Sequence, residues 1–377
     1  MGGFRTISEV IDAEVNGKVR NYIWRKTPSQ TTITGLWFDS SMSPGMPPPQ
    51  YYIGTPLRAT QLRQSTDGGL YHGQDVYPSE KFLRSITTQA SAATALPMNA
   101  ILCDYLMFYP FIDEGTTDLQ STTNAFGGGA TFTPVVTTSV FTYTSTSNEP
   151  YNILTSSPVQ LSTTGTLPTG LNSIDTYYLI KLSDTTFRLA TTIADSLAGV
   201  YIQIETLGTG IHTIKWQLPR YTDGKGVQVI AVATNAGTGT LATFFFTYTN
   251  SNGVSGRISQ TITMNSSLIT GNIIGSNTAT INASNPFIGL QLEDDGVRSI
   301  ESITMLGIDT GLFTLCLVKP LVQHCFREIT VPYEKDLLIP TSDVIKIYDD
   351  AFLGFLLLPL GTLAATVLRG DIKVIWN

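Results

Sequence analysis

The stretch Thr163–Thr192, TTGTLPTGLNSIDTYYLIKLSDTTFRLATT, predicts a β-hairpin and, with it, the fold class of the chain. Apolar and polar residues alternate on both sides of a Ser183-Asp184 turn, as in half-buried strands rich in threonine and aromatic residues. We predict that the apolar face of this hairpin consists of Tyr178, Ile180, Leu182 and Phe187. Nothing in the stretch can act as a base, a nucleophile or a set of metal ligands. The pattern therefore favours a structural or interaction module.

Further strands follow from Leu96 to the end of the chain. The run AILCDYLMFYP (100–110) is almost continuously apolar, which is typical of a strand buried on both faces. Shorter runs separated by turn signals, such as Asp294-Asp295-Gly296, are predicted at 227–233, 241–249, 257–264, 269–274, 300–306, 312–318 and 327–332. We therefore predict a mainly β protein, with a jelly-roll or Greek-key β-sandwich formed by residues 96–120 and 217–377.

Residues 121–216 differ in composition from the rest of the chain. They carry eight charged residues in 96, whereas charged residues make up 14% of the whole sequence. The segment opens with a glycine-rich run, Asn124–Gly129, which predicts a hinge. We interpret 121–216 as a small all-β domain inserted into a loop of the sandwich, where insertions are well tolerated.

Residues 1–95 are predicted to form an N-terminal arm with one short helix. Thr6 and Glu9 match a capping box at the start of a helical pattern that runs over 6–24. Beyond it, prolines and glycines interrupt regular structure, and Pro47-Pro48-Pro49 predicts an extended segment. Such an arm lies either on a neighbouring subunit or on its own domain.

Several aromatic residues of this arm fall outside the predicted strands. We predict that they expose apolar surface in a monomer and form assembly contacts, because exposed apolar patches mark interfaces. A homo-oligomer is expected, with a trimer favoured. The candidate contact residues are Trp24, Trp37, Phe38, Tyr51, Tyr52 and Tyr71.

Composition excludes several classes of protein. The net charge is −7 and no run of basic residues is present, so a nucleic-acid partner is not expected. Three cysteines, an odd number in a chain of 377 residues, favour a reducing cytoplasm over a disulfide framework. The apolar stretch 351–368 contains Pro359 and Gly361, so we interpret it as two buried strands and expect no membrane contact.

No motif for catalysis or for a cofactor stands out. His72, His212 and His324 are scattered, and Cys316 and Cys325 lack the spacing of zinc ligands. The acidic run Glu293-Asp294-Asp295 is interpreted as a solvated turn, and no GxSxG motif occurs. We therefore expect a protein that is not an enzyme and has no metal or cofactor.

Several phrases of the sequence resemble a family of tailed-bacteriophage virion structural proteins. The phrases are GLYHGQDV (69–76), ILCDYLMFYPFID (101–113), LPRYTDGKGVQ (218–228), YTNSNGVSGR (248–257), GVRSIESITML (296–306), LCLVKPL (315–321) and IYDDAFLGFLLLPLGTLAA (347–365). In the family the phrase at 108–113 is followed directly by the one at 218–224, which implies an insertion between them here. The inserted stretch is similar to a β-module of phage tail and capsid proteins, through TTGTLPTGLNSIDTYYLI (163–180) and GTGIHTI (208–214).

The resemblance implies a place in the virion, assembled in the cytoplasm of the bacterial host, and no catalytic residues. We expect a non-enzymatic capsid decoration or cement protein on the head exterior, in contact with the phage major capsid protein. The alternative is a tail or adsorption-apparatus protein that binds a host surface glycan through residues 121–216.

Overall fold

The computed structural model describes residues 4–29, 31–122, 129–144, 152–237, 242–264, 269–275, 285–329, 331–337 and 345–377. The chain is mainly β, as predicted: three antiparallel sheets and one closed barrel account for its regular structure, together with a few short helices. The jelly-roll connectivity remains a prediction. The helices are α1 (Ile7–Val15), α2 (Gln64–Asp67) and α3 (Ile193–Ala198), with 3-10 turns at Ser40–Met42 and Ala93–Ala95.

The predicted helix over 6–24 is correct for its first half only. The Thr6 hydroxyl accepts a hydrogen bond from the Glu9 amide at 3.2 Å and so caps α1. The helix ends at Val15 because Gly17 adopts a left-handed conformation, with φ of 73°. The next residues form a strand, in which the β-branched and aromatic side chains of 19–24 are favoured.

Six strands form the sheet that we call the terminal sheet: β1 (Val19–Lys26), β3 (Gly45–Met46), β5 (Lys81–Ala90), β21 (Tyr333–Asp336), β22 (Ile345–Ile347) and β24 (Leu368–Trp376). Their order is β21-β5-β24-β1-β3, with β22 also paired to β5. The segment assigned to an N-terminal arm thus supplies three strands of this sheet. The run 327–332, predicted as a strand, instead lies in the connection to β21.

Seven strands form the central sheet: β2 (Phe38–Asp39), β4 (Thr60–Gln61), β6 (Met98–Asp113), β14 (Gln228–Ala233), β18 (Ile273–Ile274), β20 (Leu312–Phe326) and β23 (Phe352–Pro359). The order is β18-β14-β20-β6-β23-β2, with β4 paired to β6. Strand β6 is buried on both faces over 100–110, as predicted. The apolar stretch 351–368 contains β23 and leads into β24, and no helix among the described residues is long and apolar enough to cross a membrane.

Five strands form the lateral sheet: β7 (Gln120–Ser121), β15 (Thr243–Asn250), β16 (Arg257–Ile258), β17 (Ile262–Thr263) and β19 (Val297–Met305). Their order is β16-β15-β19-β7, with β17 paired to β15. The long strand β6 packs against the terminal sheet at one end and against the lateral sheet at the other. Ala100 and Leu102 pack with the terminal sheet, whereas Met107 and Tyr109 pack with the lateral sheet.

The opposite face of the central sheet is covered by the proline-rich part of the N-terminal segment. Trp37, Tyr52 and Leu62 pack there with Tyr105 and Phe108 in one buried cluster. These residues therefore pack on their own chain, which is one of the two positions predicted for the segment, and not on a neighbouring subunit. Their aromatic surface is already buried within one copy of the chain.

Six strands close into the barrel: β8 (Ala130–Val135), β9 (Val140–Tyr143), β10 (Pro158–Thr163), β11 (Tyr177–Lys181), β12 (Thr186–Ala190) and β13 (His212–Trp216), in the order β10-β11-β12-β9-β8-β13. The predicted glycine hinge at 124–129 lies outside the described residues except for Gly129. Ala130 pairs with Ile214, so the first and last strands of the barrel are neighbours. The entry and exit of the barrel are therefore close together, as an insertion requires.

The hairpin of β11 and β12 forms where the sequence predicts it, but its predicted apolar face is wrong by one residue. Tyr177 and Leu179 are buried inside the barrel, Tyr178 and Ile180 are half-buried, and Leu182 is 48% exposed. Phe187 is buried as predicted. A shift of one residue moves a whole strand to the other face, and here residues 177–180 are apolar on both faces. Pairing of Tyr177 with the buried Val159 sets the phase.

Candidate functional site

Four of the six predicted assembly-contact residues lie inside the chain's own core. Trp24, Trp37, Phe38 and Tyr52 are at most 4% exposed. Trp24 lies on β1 and packs on Phe355, with ring centroids 5.0 Å apart. The expectation that these four expose apolar surface in a monomer is therefore wrong, because sheets assembled from distant strands cover them. The sequence misled for Trp24 because β1 was interpreted as helix, and for the other three because the proline-rich segment shows no strand pattern that places it on the central sheet.

The buried Tyr52 belongs to a polar cluster around Asp39. The Asp39 carboxylate accepts hydrogen bonds from the hydroxyls of Tyr52, Ser41 and Tyr105 and from the Ser41 amide. Burial raises the pKa of Asp39, although these hydrogen bonds act in the opposite direction. Because all of these groups are inaccessible to solvent, the cluster fixes the N-terminal segment on the central sheet and offers no binding surface.

Tyr51 and Tyr71 are exposed, by 52% and 45%, as a contact residue must be. Tyr71 packs edge to face on Tyr22, with centroids 5.0 Å apart. Tyr51 lies close in sequence to Ile53, which is 72% exposed. Of the six candidates, these two remain available for a contact with another molecule.

The barrel is attached to the body at two places, the first of which follows β13. Arg220 donates two hydrogen bonds to the Asp104 carboxylate on β6, at 2.8 and 2.7 Å, and a third to the Tyr105 carbonyl at 2.9 Å. Burial alone would lower the pKa of Arg220, but Asp104 outweighs it and raises the pKa. This bidentate pair fixes the chain where it leaves the barrel.

The second attachment joins the loop before β10 to the segment around β4. Arg63 donates to the Ser157 hydroxyl at 2.9 Å and to Asp350 at 3.3 Å. Asn152 donates to Thr66 and Asp67, at 3.1 and 3.0 Å. In addition, the barrel interior and the lateral sheet belong to one continuous apolar cluster. Hydrogen bonds and a shared apolar core thus hold the barrel rigidly on the body.

The threonines of the opening stretch form a paired set of hydroxyls at one end of the barrel. Thr166 and Thr209 bring their hydroxyl oxygens within 3.0 Å, and Thr169 and Thr206 within 2.5 Å. Thr163 donates to the Thr209 carbonyl at 3.1 Å. We call the loops 163–176 and 205–211 the barrel tip, because they lie at the ends of β10 and β13 opposite the attached ends at Pro158 and Trp216.

Apolar side chains stand out from this barrel tip. Ile174 is 82% exposed, Ile211 60% and Leu207 52%. The paired hydroxyls and these side chains together make a polar and apolar surface on protruding loops, which is where binding residues are commonly found. The barrel tip is the candidate interaction site of the chain.

The three histidines and the cysteines Cys103 and Cys316 are buried, and Cys325 is half-buried. Burial lowers the pKa of both His72 and His324 to about 4, and burial raises the pKa of the Cys103 and Cys316 thiols. No three His, Cys, Asp or Glu side chains in the described part of the chain are arranged to hold a metal ion.

The acidic turn 293–296 is not simply solvated, as the sequence suggested. The Asp294 side chain is 3% exposed and accepts hydrogen bonds from Arg257 at 2.9 Å, and from Tyr248 and Asn250 at 2.6 Å. Burial would raise its pKa, but these donors outweigh burial and lower it. Asp294 therefore closes the turn onto β15 and β16.

Comparisons with known proteins place the chain in no described group. No family model, no curated protein and no solved structure matches it.

Proposed function

We propose that the chain is a non-enzymatic structural protein of a tailed-phage virion, a decoration or cement protein on the exterior of the head. The observation that carries this proposal is the rigid mounting of a complete barrel on a body of three sheets. Such a design suits a protein whose body binds the phage major capsid protein while the barrel protrudes. The quoted sequence phrases support the virion assignment, and self-association, as a trimer on the three-fold sites of a head, belongs to the same proposal.

The rigidity of the mount supports a scaffold role for physical reasons. Arg63 of the body donates to Ser157, Asn152 of the inserted segment donates to Asp67, and a shared apolar core joins the barrel to the body. The buried pair of Arg220 and Asp104 fixes the chain just beyond the last barrel strand, and truncating one partner of such a pair costs about 3–5 kcal/mol. A protein that must hold a fixed spacing on a particle benefits from this property.

The test is to locate the protein in purified particles of the phage whose genome encodes it. We expect full-length chain in the particles and density for the body on the head surface, with the barrel pointing outward. Addition of purified chain to heads that lack it should restore binding, and a variant without the barrel should bind equally well. Absence of the chain from particles would contradict the proposal.

A second candidate function follows from the barrel tip. Exposed hydroxyls beside Ile174, Leu207 and Ile211 form a mixed surface that suits a sugar ring, which is polar at its edges and apolar on its faces. In this alternative the chain is a tail or adsorption protein that binds a host surface glycan. Density confined to the tail, and glycan-array binding that is lost on changing Thr166 and Thr209 to valine, would favour it over the head assignment.

A further inference from the structure

Helix α1 carries an apolar stripe that faces away from its own chain. Ile7, Ile11 and Val15 are 66%, 54% and 80% exposed, and their spacing of four residues places them along one side of the helix. The other side buries Val10 and Ala13. A surface helix usually has one apolar face, directed to the core. This helix has two, and only one of them is covered.

The covered side of α1 lies on the outer face of the terminal sheet. Val10 and Ala13 pack with Phe82 and Ile375, which are paired residues of β5 and β24. The salt bridges of Glu14 with Arg84 and Lys373, at 3.1 and 3.5 Å, hold the helix there. The helix thus covers one end of the outer face and leaves the rest open.

The strand register identifies the remainder of this face, which we call the open half. Ile23 lies opposite Asp371, which lies opposite Thr87, and Arg25 lies between Arg369 and Met46. Directly opposed residues of antiparallel strands share a face. Ile23 is 78% exposed and Met46 is 70% exposed. The open half therefore presents apolar side chains among charged ones.

The stripe and the open half have opposite charges beside their apolar residues. Helix α1 contains no base, and two of its three acids, Glu9 and Asp12, are exposed, whereas Glu14 is paired on the covered side. The open half exposes Arg25 and Arg369. The Arg369 Nε donates to Gln89 at 3.0 Å, and the Asp371 carboxylate accepts a hydrogen bond from Thr87. Apolar and charged groups of the two surfaces therefore match, and charge complementarity of this kind fixes the orientation of partners.

We propose that the stripe of one copy of the chain packs on the open half of a second copy. In a closed assembly every copy uses both surfaces once, whether it is a dimer or a ring. The contact is a property of the chain in solution. It does not depend on the virion assignment, because a chain absent from particles would still pair in this way.

Sedimentation velocity of the full chain over a range of concentrations tests the proposal. We expect a dimer or trimer that the substitution Ile11→Arg dissociates, with self-association weakened about 100-fold or more, because a positive charge is then buried in an apolar contact beside Arg25 and Arg369 of the second copy. Ile174→Arg, at a position 82% exposed on the barrel tip, is the matched control and should associate like the parent. Both positions are exposed, so both variants should keep the parent's thermal unfolding.

A charge exchange and a cross-link test the identity of the contact. Asp12→Arg and Arg25→Glu should each weaken association about 10-fold, and the double variant should recover most of it. In a Cys325→Ser background, Ile11→Cys chains mixed with differently tagged Ile23→Cys chains should form a disulfide between the two tags, whereas Ile174→Cys chains should not. A parent chain that is still monomeric at about 10⁻⁴ M, or an oligomer that Ile11→Arg does not weaken, would overturn the proposal.

Discussion

Arg220, just beyond the last barrel strand, and Asp104, in the middle of β6, form a bidentate ion pair at 2.7 and 2.8 Å in which neither side chain is more than 4% exposed. The pair joins the end of the insertion to the longest strand of the body. Its geometry satisfies both carboxylate oxygens, and the remaining guanidinium donors reach the carbonyls of Leu62 and Tyr105. Removing either partner leaves an uncompensated charge in the core.

We therefore expect Asp104→Ala to lower the free energy of unfolding by about 3–5 kcal/mol. Urea titration followed by tryptophan fluorescence measures this loss. The control is Asp184→Ala, since Asp184 pairs with Lys181 at a position 97% exposed and should contribute less than about 1 kcal/mol. The double variant Asp104→Leu/Arg220→Met should be more stable than Asp104→Ala. Equal losses for Asp104→Ala and Asp184→Ala would contradict the structural role of the pair.

Deletion of the barrel should leave a folded but weakened body. Replacing 123–216 by a short glycine-serine linker removes Ser157, which accepts from the buried Arg63, and Trp216, which is fully buried. We expect the body to keep a cooperative thermal transition at a lower midpoint, because Asp350 still pairs with Arg63. Adding Arg63→Met to the deletion should recover part of the loss, since the unsatisfied donors are then gone.

If the deleted chain does not unfold cooperatively, the barrel and body are one folding unit. The physical basis for this outcome is the apolar cluster to which barrel and body both contribute. The complementary protein, residues 129–217 alone, should then also fail to fold. A body that is as stable without the barrel as with it would show that the attachments carry no stability.

The phase of the β11–β12 hairpin can be tested by truncating one side chain on each face. Leu179→Ala removes a fully enclosed side chain from the barrel interior and should cost about 2–5 kcal/mol. Leu182→Ala, at a position 48% exposed, should change the free energy of unfolding by less than about 0.5 kcal/mol. Chemical denaturation of both variants measures the difference. If Leu182→Ala cost more than Leu179→Ala, the apolar face predicted from the sequence would be the one inside the barrel.

These cases show how far sequence reasoning reaches in this chain. The hairpin and the start of α1 could be predicted because turn residues and the Thr6 cap act locally. The phase of β11 could not be predicted, because residues 177–180 place apolar side chains on both faces of the strand. The burial of Trp24 depends on pairing with the C-terminal strand. The Arg220–Asp104 pair spans 116 residues of sequence, so no local spacing predicts that these two side chains meet.

Glu114 follows β6, and within the described part of the chain neither of its two buried carboxylate oxygens has a hydrogen-bond partner. Burial, followed by the charges of Asp309 and Asp113, raises the pKa of Glu114 to about 8. The unfolded chain gives this carboxyl an ordinary pKa of about 4.3. Between these two values the folded state holds a proton that the unfolded state has lost.

The contribution of Glu114 to stability should therefore fall as pH rises from about 4.3 to about 8 and then level off, because the folded state holds a proton on this carboxyl over that window. His72 and His324, whose pKa burial lowers to about 4, contribute in the opposite direction at the acid end, so the difference between the parent and a Glu114 variant isolates the effect. Glu114→Gln keeps the shape of the side chain, removes its ionisation and should raise the free energy of unfolding at pH 8 by on the order of 3 kcal/mol. At pH 4 parent and variant should differ little. Urea titrations at pH 4, 6 and 8 measure the effect, and Glu328→Gln, on an exposed residue, is the control. If Glu114→Gln differs from the parent by the same amount at pH 4, 6 and 8, the pKa of Glu114 is not raised in the folded state.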